Sequence, residues 1–346
     1  MLSIHLGKSK LLVASAFLAM VMLTPHSSKA DENLDDVRQL LEAFYRGEKV
    51  AMQDLAQAHQ DPTYLTAGGG WNLDGNGHFA DQILEADLNP HFFWFSNNKW
   101  VINTFRFDGF LNVTGRVRLR MSSEQSAPVR TPSFMPRATY YFWFGDSKVE
   151  QRANYYSLML SHHSNGQDGP FYNPDGTVNT NSGSFSSNFV QLAHYHLANY
   201  EYFPGWTKIS LNWHPGFNRS DDLKDQYEKL KLNLEFKTRP IPLPVPVPGR
   251  TFDWDVRNFS TISYTLSGRD YIVAPNAAFP GITPRMAKWS DNIHLSTEFH
   301  IKPSTWRDIR LFVKYDLGYD YYNIHFREKI NRIQFGVSGH VFRLGG

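Results

Sequence analysis

The sequence predicts an all-β fold: a twelve-stranded antiparallel transmembrane β-barrel with a short N-terminal helical segment. Three observations predict it. From residue 98 onward, apolar and polar side chains alternate with period two, as in strands with one greasy and one wet face. Most of these runs are nine or more residues long. That length crosses a bilayer at a tilt, whereas strands of soluble sheets average about 5–6 residues. The runs number about a dozen, and an even count closes an antiparallel barrel.

The first thirty residues read as a secretory signal. Lys8 and Lys10 form a basic start, Leu11–Leu23 an apolar run, and Ser28-Lys-Ala30 a small-residue cleavage site, with cleavage expected after Ala30. Residues 31–90 are expected to hold a periplasmic helix and an irregular segment. Within 35–57, Val37, Leu40, Leu41 and Phe44 recur at helical spacing, and Asp35 and Asp36 suit a helix start. Residues 63–90 are rich in Gly, Asn and Asp and read as turns. Asp74-Gly-Asn-Gly-His78 imitates a calcium loop, but neither register places both the required glycine and the twelfth-position glutamate.

The barrel is expected over 91–346, with strands near 92–97, 100–108, 110–121, 137–145, 151–164, 187–202, 206–214, 227–237, 251–266, 292–301, 307–318 and 331–343. Leu230, Leu232, Leu234 and Phe236 interleave with Lys229, Lys231, Asn233, Glu235 and Lys237; Ile309 to Leu317 and Ile333 to Val341 repeat the pattern. Arg106, Asp108, Arg116, Arg118 and Arg120 share one parity, which suits a lumen of paired charges. Long connections at 165–186, 215–226 and 267–291 mark the extracellular side, and short ones such as that at Gly205 the periplasmic side. Arg239–Pro248 alternates proline and is expected to be a stiff connector, unable to pair as a central strand.

Composition narrows the classes. The chain has 346 residues, no cysteine and a net charge of +2. A disulfide framework and a thiolate metal site are excluded, and no nucleic-acid footprint is present. Aromatic residues make up 15%, and outer-membrane barrels use aromatic girdles at both interfaces. The nine tryptophans are read as girdle and packing residues.

The chemistry concentrates in Asn154–Gly166. On a strand, His162 and Ser164 project side by side, and a base beside a hydroxyl is the minimum for a serine nucleophile. Their parity also carries Tyr156, Leu158 and Leu160. The pair is therefore expected on the apolar face, where a lipid substrate would reach it. His163 has the opposite parity and is expected to line the lumen. Asn188 shares parity with Val190 and Leu192. His194 and His196 lie on that nominal face too and are read as interface or lumen positions rather than metal ligands.

His162-His-Ser-Asn-Gly166, followed by Ser184-Phe-Ser-Ser-Asn188 and preceded by the Ser-rich turn Ser123–Pro128, resembles the signature of the outer-membrane phospholipase A family. The resemblance implies a twelve-stranded barrel in the outer membrane of a Gram-negative cell and a Ser–His–Asn triad on its lipid-facing exterior near the extracellular rim. It also implies activation by calcium (Ca2+) within a homodimer, the resting form being a monomer. Carried over, Ser164 is the nucleophile, His162 the base and Asn188 the residue orienting the imidazole. The family's calcium ligands match Gln167, Ser184 and, on the second copy, Ser126. Asp168 and Asp175 lie in the same loop. The activity implied is hydrolysis of acyl esters of glycerophospholipids. Residues 171–180 look inserted relative to the family. Two alternatives remain: a lipid A deacylase with Asp175 as an acidic third member, and a non-catalytic channel or structural barrel.

Overall fold

Period-two alternation becomes a wall with a wet inside and a greasy outside. The computed structural model describes residues 32–67, 71–72, 78–79, 82–95, 100–102, 105–122, 129–145, 148–150, 152–198, 205–217, 219–247, 250–276, 278–303, 306, 309–339 and 343–344. Twelve strands form the ring: β1 (Thr63–Ala67), β2 (Gln82–Leu88), β3 (Phe105–Ser122), β4 (Ser133–Phe144), β5 (Arg152–Ser164), β6 (Ser186–Ala198), β7 (Gly205–Trp213), β8 (Gln226–Thr238), β9 (Arg250–Arg269), β10 (Ile293–Pro303), β11 (Arg310–Tyr319) and β12 (Lys329–Gly339). Each pairs antiparallel with the next, and β12 pairs with β1, closing the barrel. No helix among the described residues is long and apolar enough to cross a membrane; the strands do so.

The outward parity is apolar. Leu158, Leu160, Leu192, Ile209, Leu234, Ile262, Phe299 and Phe335 are all exposed. In water such a belt would be a large aggregation hazard; against hydrocarbon it is the favourable surface. The inward parity buries Glu85, Asp87, Arg118, Arg120, Lys314, Asp316 and Arg332. These are paired, as buried charges must be: Arg120 bonds Glu85 at 2.6 Å and also engages Asp320.

Two sequence expectations change here. The barrel begins at Thr63, not at residue 91. The first three expected strands, 92–97, 100–108 and 110–121, are replaced by β1, β2 and one long β3. Parity explains the merger, because Phe110, Asn112, Thr114, Arg118 and Arg120 are all buried on one face and the ladder to β4 runs without a shift. It also explains the omission. Tyr64, Thr66, Glu85 and Asp87 are buried polar lumen residues, and in a segment rich in turn residues they read as irregular chain. His91–Phe95 continues the β2 ladder on β3 in the same register past Asn89-Pro90.

The proline-rich stretch does pair. Ile241–Val247 extends β8 and lies antiparallel on Arg250–Val256 at the start of β9. β7 ends its pairing at Thr238, so this segment is an edge. Pro242, Pro244 and Pro246 share one parity, which keeps every missing N–H on the unpaired side.

The N-terminal segment forms two helices, α1 (Glu32–Tyr45) and α2 (Met52–Ala58). They are separated at Gly47, whose φ of +79° suits glycine. The helices plug the short-turn end of the barrel. Leu41, Phe44, Met52, Leu55 and Ala56 pack on the inward-facing Phe110, Tyr141, Trp143, Tyr155, Tyr195 and Trp206. Lys237 then donates to the His59 carbonyl and to Asp61 Oδ1, both at 2.8 Å. The other end is capped by Phe171, Phe185, Leu223, Tyr227, Ile324 and Phe326. Between plug and cap lies a charged cavity of about 350 Å³.

Phe44 is fully buried in the plug. Phe44→Ala is expected to loosen it by about 3–5 kcal/mol, the usual cost of deleting a buried ring. Limited proteolysis should then clip the N-terminal segment faster while the barrel stays resistant; unchanged clipping would mean that this packing does not hold the helices.

Candidate active site

Strand β5 decides which way the chemistry faces. Ala153, Tyr155, Ser157, Met159, Ser161 and His163 are buried in the lumen. The alternate residues look outward, with Leu158 and Leu160 45% and 57% exposed. His162 and Ser164 lie on that outer face, at the end of the strand where the long 165–185 loop begins. His163 points inward, where its Nε2 lies 3.3 Å from Ser133 Oγ and its ring meets Phe185.

Antiparallel register supplies the third side chain. β5 and β6 pair so that His162 lies opposite Asn188 and Ser164 opposite Ser186. His162 Nδ1 donates to Asn188 Oδ1 at 2.8 Å. An amide oxygen only accepts, so Nδ1 carries the proton and Nε2 is left as the basic nitrogen. The Asn188 amide nitrogen in turn donates to the Phe217 carbonyl at 3.1 Å. No hydrogen bond joins Ser164 Oγ to the ring among the described residues. Such contacts often close only around substrate. A neutral third residue suits the place, since an ionised carboxylate facing hydrocarbon is costly.

The loop between Ser164 and Asn188 is stapled at its base by Asn165. Its side chain is buried, donates to the Gly183 carbonyl at 2.7 Å, and accepts from Phe185 N at 3.0 Å and Gln167 N at 3.3 Å. Gly166 beside it adopts φ +67° with the Phe134 ring close by. A β-carbon there would force an unfavourable left-handed conformation against that ring. The staple returns the chain to β6 in the register that meets His162. The inserted residues 171–180 do not intervene. Phe171 joins the cap over the lumen, and Tyr172 bridges to Val178.

The staple bonds the backbone at Gln167 and at Phe185, the residue after Ser184. Ser184 N donates to the Gly169 carbonyl at 2.9 Å. The neighbouring carbonyls of Ser182, Gly183 and Phe185 accept hydrogen bonds, whereas those of Gln167 and Ser184 accept none among the described residues. Calcium takes hard, neutral oxygens as ligands, and these two carbonyls are left available for that use. Ser126 lies outside the described residues. No group of three or more His, Cys, Asp or Glu that could hold a metal occurs among the described residues. Asp168 is exposed, and Asp175 accepts from Thr177 N at 2.9 Å and Thr177 Oγ1 at 2.6 Å. Those two bonds hold its carboxyl below the usual carboxylate range. Asp175 is therefore turned to its own loop, and the partner at His162 Nδ1 is the Asn188 amide.

His194 and His196 face outward and both contact Asn154 Oδ1, at 3.2 and 2.8 Å. They form a polar patch nearer the short-turn end. The tryptophans divide: Trp94, Trp213 and Trp289 are exposed on the outside, whereas Trp143 and Trp206 are buried against the plug. Sequence reading missed the Asn165 staple, although its Asn-Gly pair is a turn signal, and missed the Phe217 carbonyl, which no side-chain pattern reveals.

No protein-family model matches the chain, and no curated protein matches it. Among solved structures it is similar to the outer membrane phospholipase A from Escherichia coli, with a TM-score of 0.49 and 13% identity over 81% of this chain and 90% of that one. An active-site asparagine-to-alanine mutant of that Escherichia coli protein at pH 6.1 gives 0.49 and 11%, over 90% and 98%. The Salmonella typhi outer membrane phospholipase dimer with bound calcium gives 0.48 and 14%, over 81% and 90%.

Proposed function

We propose that the protein is a calcium-dependent phospholipase of the outer membrane, hydrolysing acyl esters of glycerophospholipids with Ser164, His162 and Asn188. The observation that carries this reading is the 2.8 Å bond from His162 to Asn188 on the apolar outer wall, beside Ser164. A hydrolase for soluble substrates has no use for a catalytic group among exposed leucines. A lipid can lay its acyl chains along them while its ester sits at the rim.

The steps follow from the proton positions. Ser164 gives its hydroxyl proton to His162 Nε2 as Oγ attacks the ester carbonyl. Asn188 keeps the imidazole in the tautomer that can take that proton and accepts from Nδ1 while the ring is charged. The collapsing intermediate releases the lysolipid, whose alkoxide takes the proton from Nε2, and leaves the acyl group on Ser164. Water then gives a proton to Nε2 and attacks the acyl carbonyl; the C–Oγ bond breaks, Ser164 Oγ takes that proton back from Nε2, and the fatty acid is freed. The Gln167 and Ser184 carbonyls, with Ser126 of a second copy, would hold a calcium ion, which would supply positive charge for the oxyanion. A homodimer as the active form completes the proposal.

The test is fatty-acid release from mixed phospholipid–detergent micelles by folded protein, with calcium and with chelator. Hydrolysis is expected with calcium. Removing it should cost on the order of 10²–10³-fold, comparable to losing one oxyanion donor. No release under either condition would sink the proposal. Asn188→Ala should lower kcat by about 10–10²-fold, the value of one hydrogen bond to a charged group. Asp175→Ala should leave it unchanged. The reverse order of effects would favour a lipid A deacylase.

A further inference from the structure

Resting on that reading, we propose that the loop between β7 and β8 is a positioning element for the triad: the Phe217 carbonyl locks the Asn188 amide in its working orientation, and Ser220 holds that carbonyl in place.

An asparagine in a triad has a problem that an aspartate lacks. Its two ends are nearly the same shape and chemically opposite. With Oδ1 toward His162, Nδ1 keeps its proton and Nε2 is free to take one from Ser164. With the amide turned over, Nδ2 faces the ring as a donor. Nδ1 must then accept, the proton moves to Nε2, and the base is lost. The bond to His162 alone does not choose between the two arrangements, because the imidazole satisfies either by changing tautomer. A group that only accepts, placed on the far side of the amide, does choose. The Phe217 carbonyl, 3.1 Å from Asn188 Nδ2, is such a group.

The loop is built to hold it there. Ser220 N donates to the Ser186 carbonyl at 3.0 Å, and Ser220 Oγ accepts from Ser186 N at 3.0 Å. Ser186 is the residue directly opposite Ser164. The clamp therefore ties the loop to the strand position that faces the nucleophile. Beyond it, Leu223 is buried in the cap, and Arg219 Nη2 caps the Leu223 and Tyr227 carbonyls at 2.7 and 3.0 Å. The Phe217 ring itself is 80% exposed and contributes little to fixing its own backbone.

Ser220→Pro is the decisive variant. Ser220 has φ −57°, which proline adopts without strain, and the change removes both halves of the clamp. It should lower kcat at least tenfold with KM within twofold. In an Asn188→Asp background, whose two oxygens are equivalent, it should change kcat less than twofold. Phe217→Ala keeps the carbonyl and should leave kcat within threefold. A readout independent of turnover is the ¹⁵N spectrum of the His162 ring, assigned against His162→Gln. The proton should reside on Nδ1 in the unmodified protein and shift toward Nε2 in Ser220→Pro. An unchanged tautomer, or an equal loss of kcat in both backgrounds, would overturn the positioning role. Full activity in Asn188→Ala would instead sink the triad on which it rests.

Discussion

Ser164→Ala is expected to reduce phospholipid hydrolysis by a factor on the order of 10⁴–10⁶, the range seen when a catalytic serine is deleted. The loss should appear in kcat with KM unchanged. In the proposed reaction the acyl chains lie along the apolar wall of β4 to β7, where Leu160 and Leu192 are each 57% exposed, and the substitution does not touch it. The barrel should fold as before. Ser164 is the last residue of β5, and among the described residues its hydroxyl makes no hydrogen bond whose loss would cost stability. Folding is checked by the heat-dependent shift in gel mobility typical of intact barrels. His163→Ala is the matched control. It removes the adjacent imidazole from the lumen side, so hydrolysis should fall by less than tenfold. Activity of Ser164→Ala within tenfold of the unaltered protein would remove the nucleophile assignment and the reaction scheme with it.

How much of this was legible in the sequence depends on what carries the information. Face assignment was legible because a strand's period is two: the parity of Leu158, Leu160, His162 and Ser164 places all four outside, and His163 inside. The pairing of His162 with Asn188 was reachable only through the family resemblance. Register across two strands depends on the path of the connecting loop, and that path is fixed by the Asn165 staple, a buried amide bonding backbone groups 18 and 20 residues away. The Phe217 carbonyl was invisible because every residue has one. The barrel's first two strands were hidden for the opposite reason. Glu85 and Asp87 look like surface residues in a turn-rich stretch until Arg116, Arg118 and Arg120 are placed beside them on β3. Helical spacing at 37–44 was clear, whereas the destination of that apolar stripe, the barrel's own mouth, depends on aromatic lumen residues spread from Phe110 to Trp206. The location of the proposed triad follows from the same physics. An outward-facing base needs a neutral partner, and a neutral amide needs something to fix its orientation; the wall supplies the first and a loop the second.

The largest expected effect on stability lies in the lumen. Asp87 is fully buried on β2 and receives two guanidinium groups: Arg116 Nε at 3.0 Å and Nη2 at 2.6 Å, and Arg118 Nε at 3.0 Å together with its Nη2. Asn89 adds a bond to Oδ1 at 3.2 Å. Asp87→Ala therefore strands two cations beside one another inside the barrel. Breaking a buried pair by removing one partner costs about 3–5 kcal/mol, and the repulsion between Arg116 and Arg118 adds to it. The exposed Arg46–Glu48 pair is as short, at 2.6 Å, but both side chains are more than half exposed, so Glu48→Ala should cost no more than about 1 kcal/mol. Equal geometry with unequal burial isolates desolvation as the cause. The measurement is the urea midpoint of the barrel folded in lipid vesicles, followed by tryptophan fluorescence. Asp87→Ala should move it far below that of Glu48→Ala. Adding Arg118→Met to Asp87→Ala should recover part of the loss, because it removes one of the two stranded charges. Equal midpoints for the two single variants would mean that the lumen is as wet as the protein's surface, and that its charges line a channel instead of cementing β2 to β3.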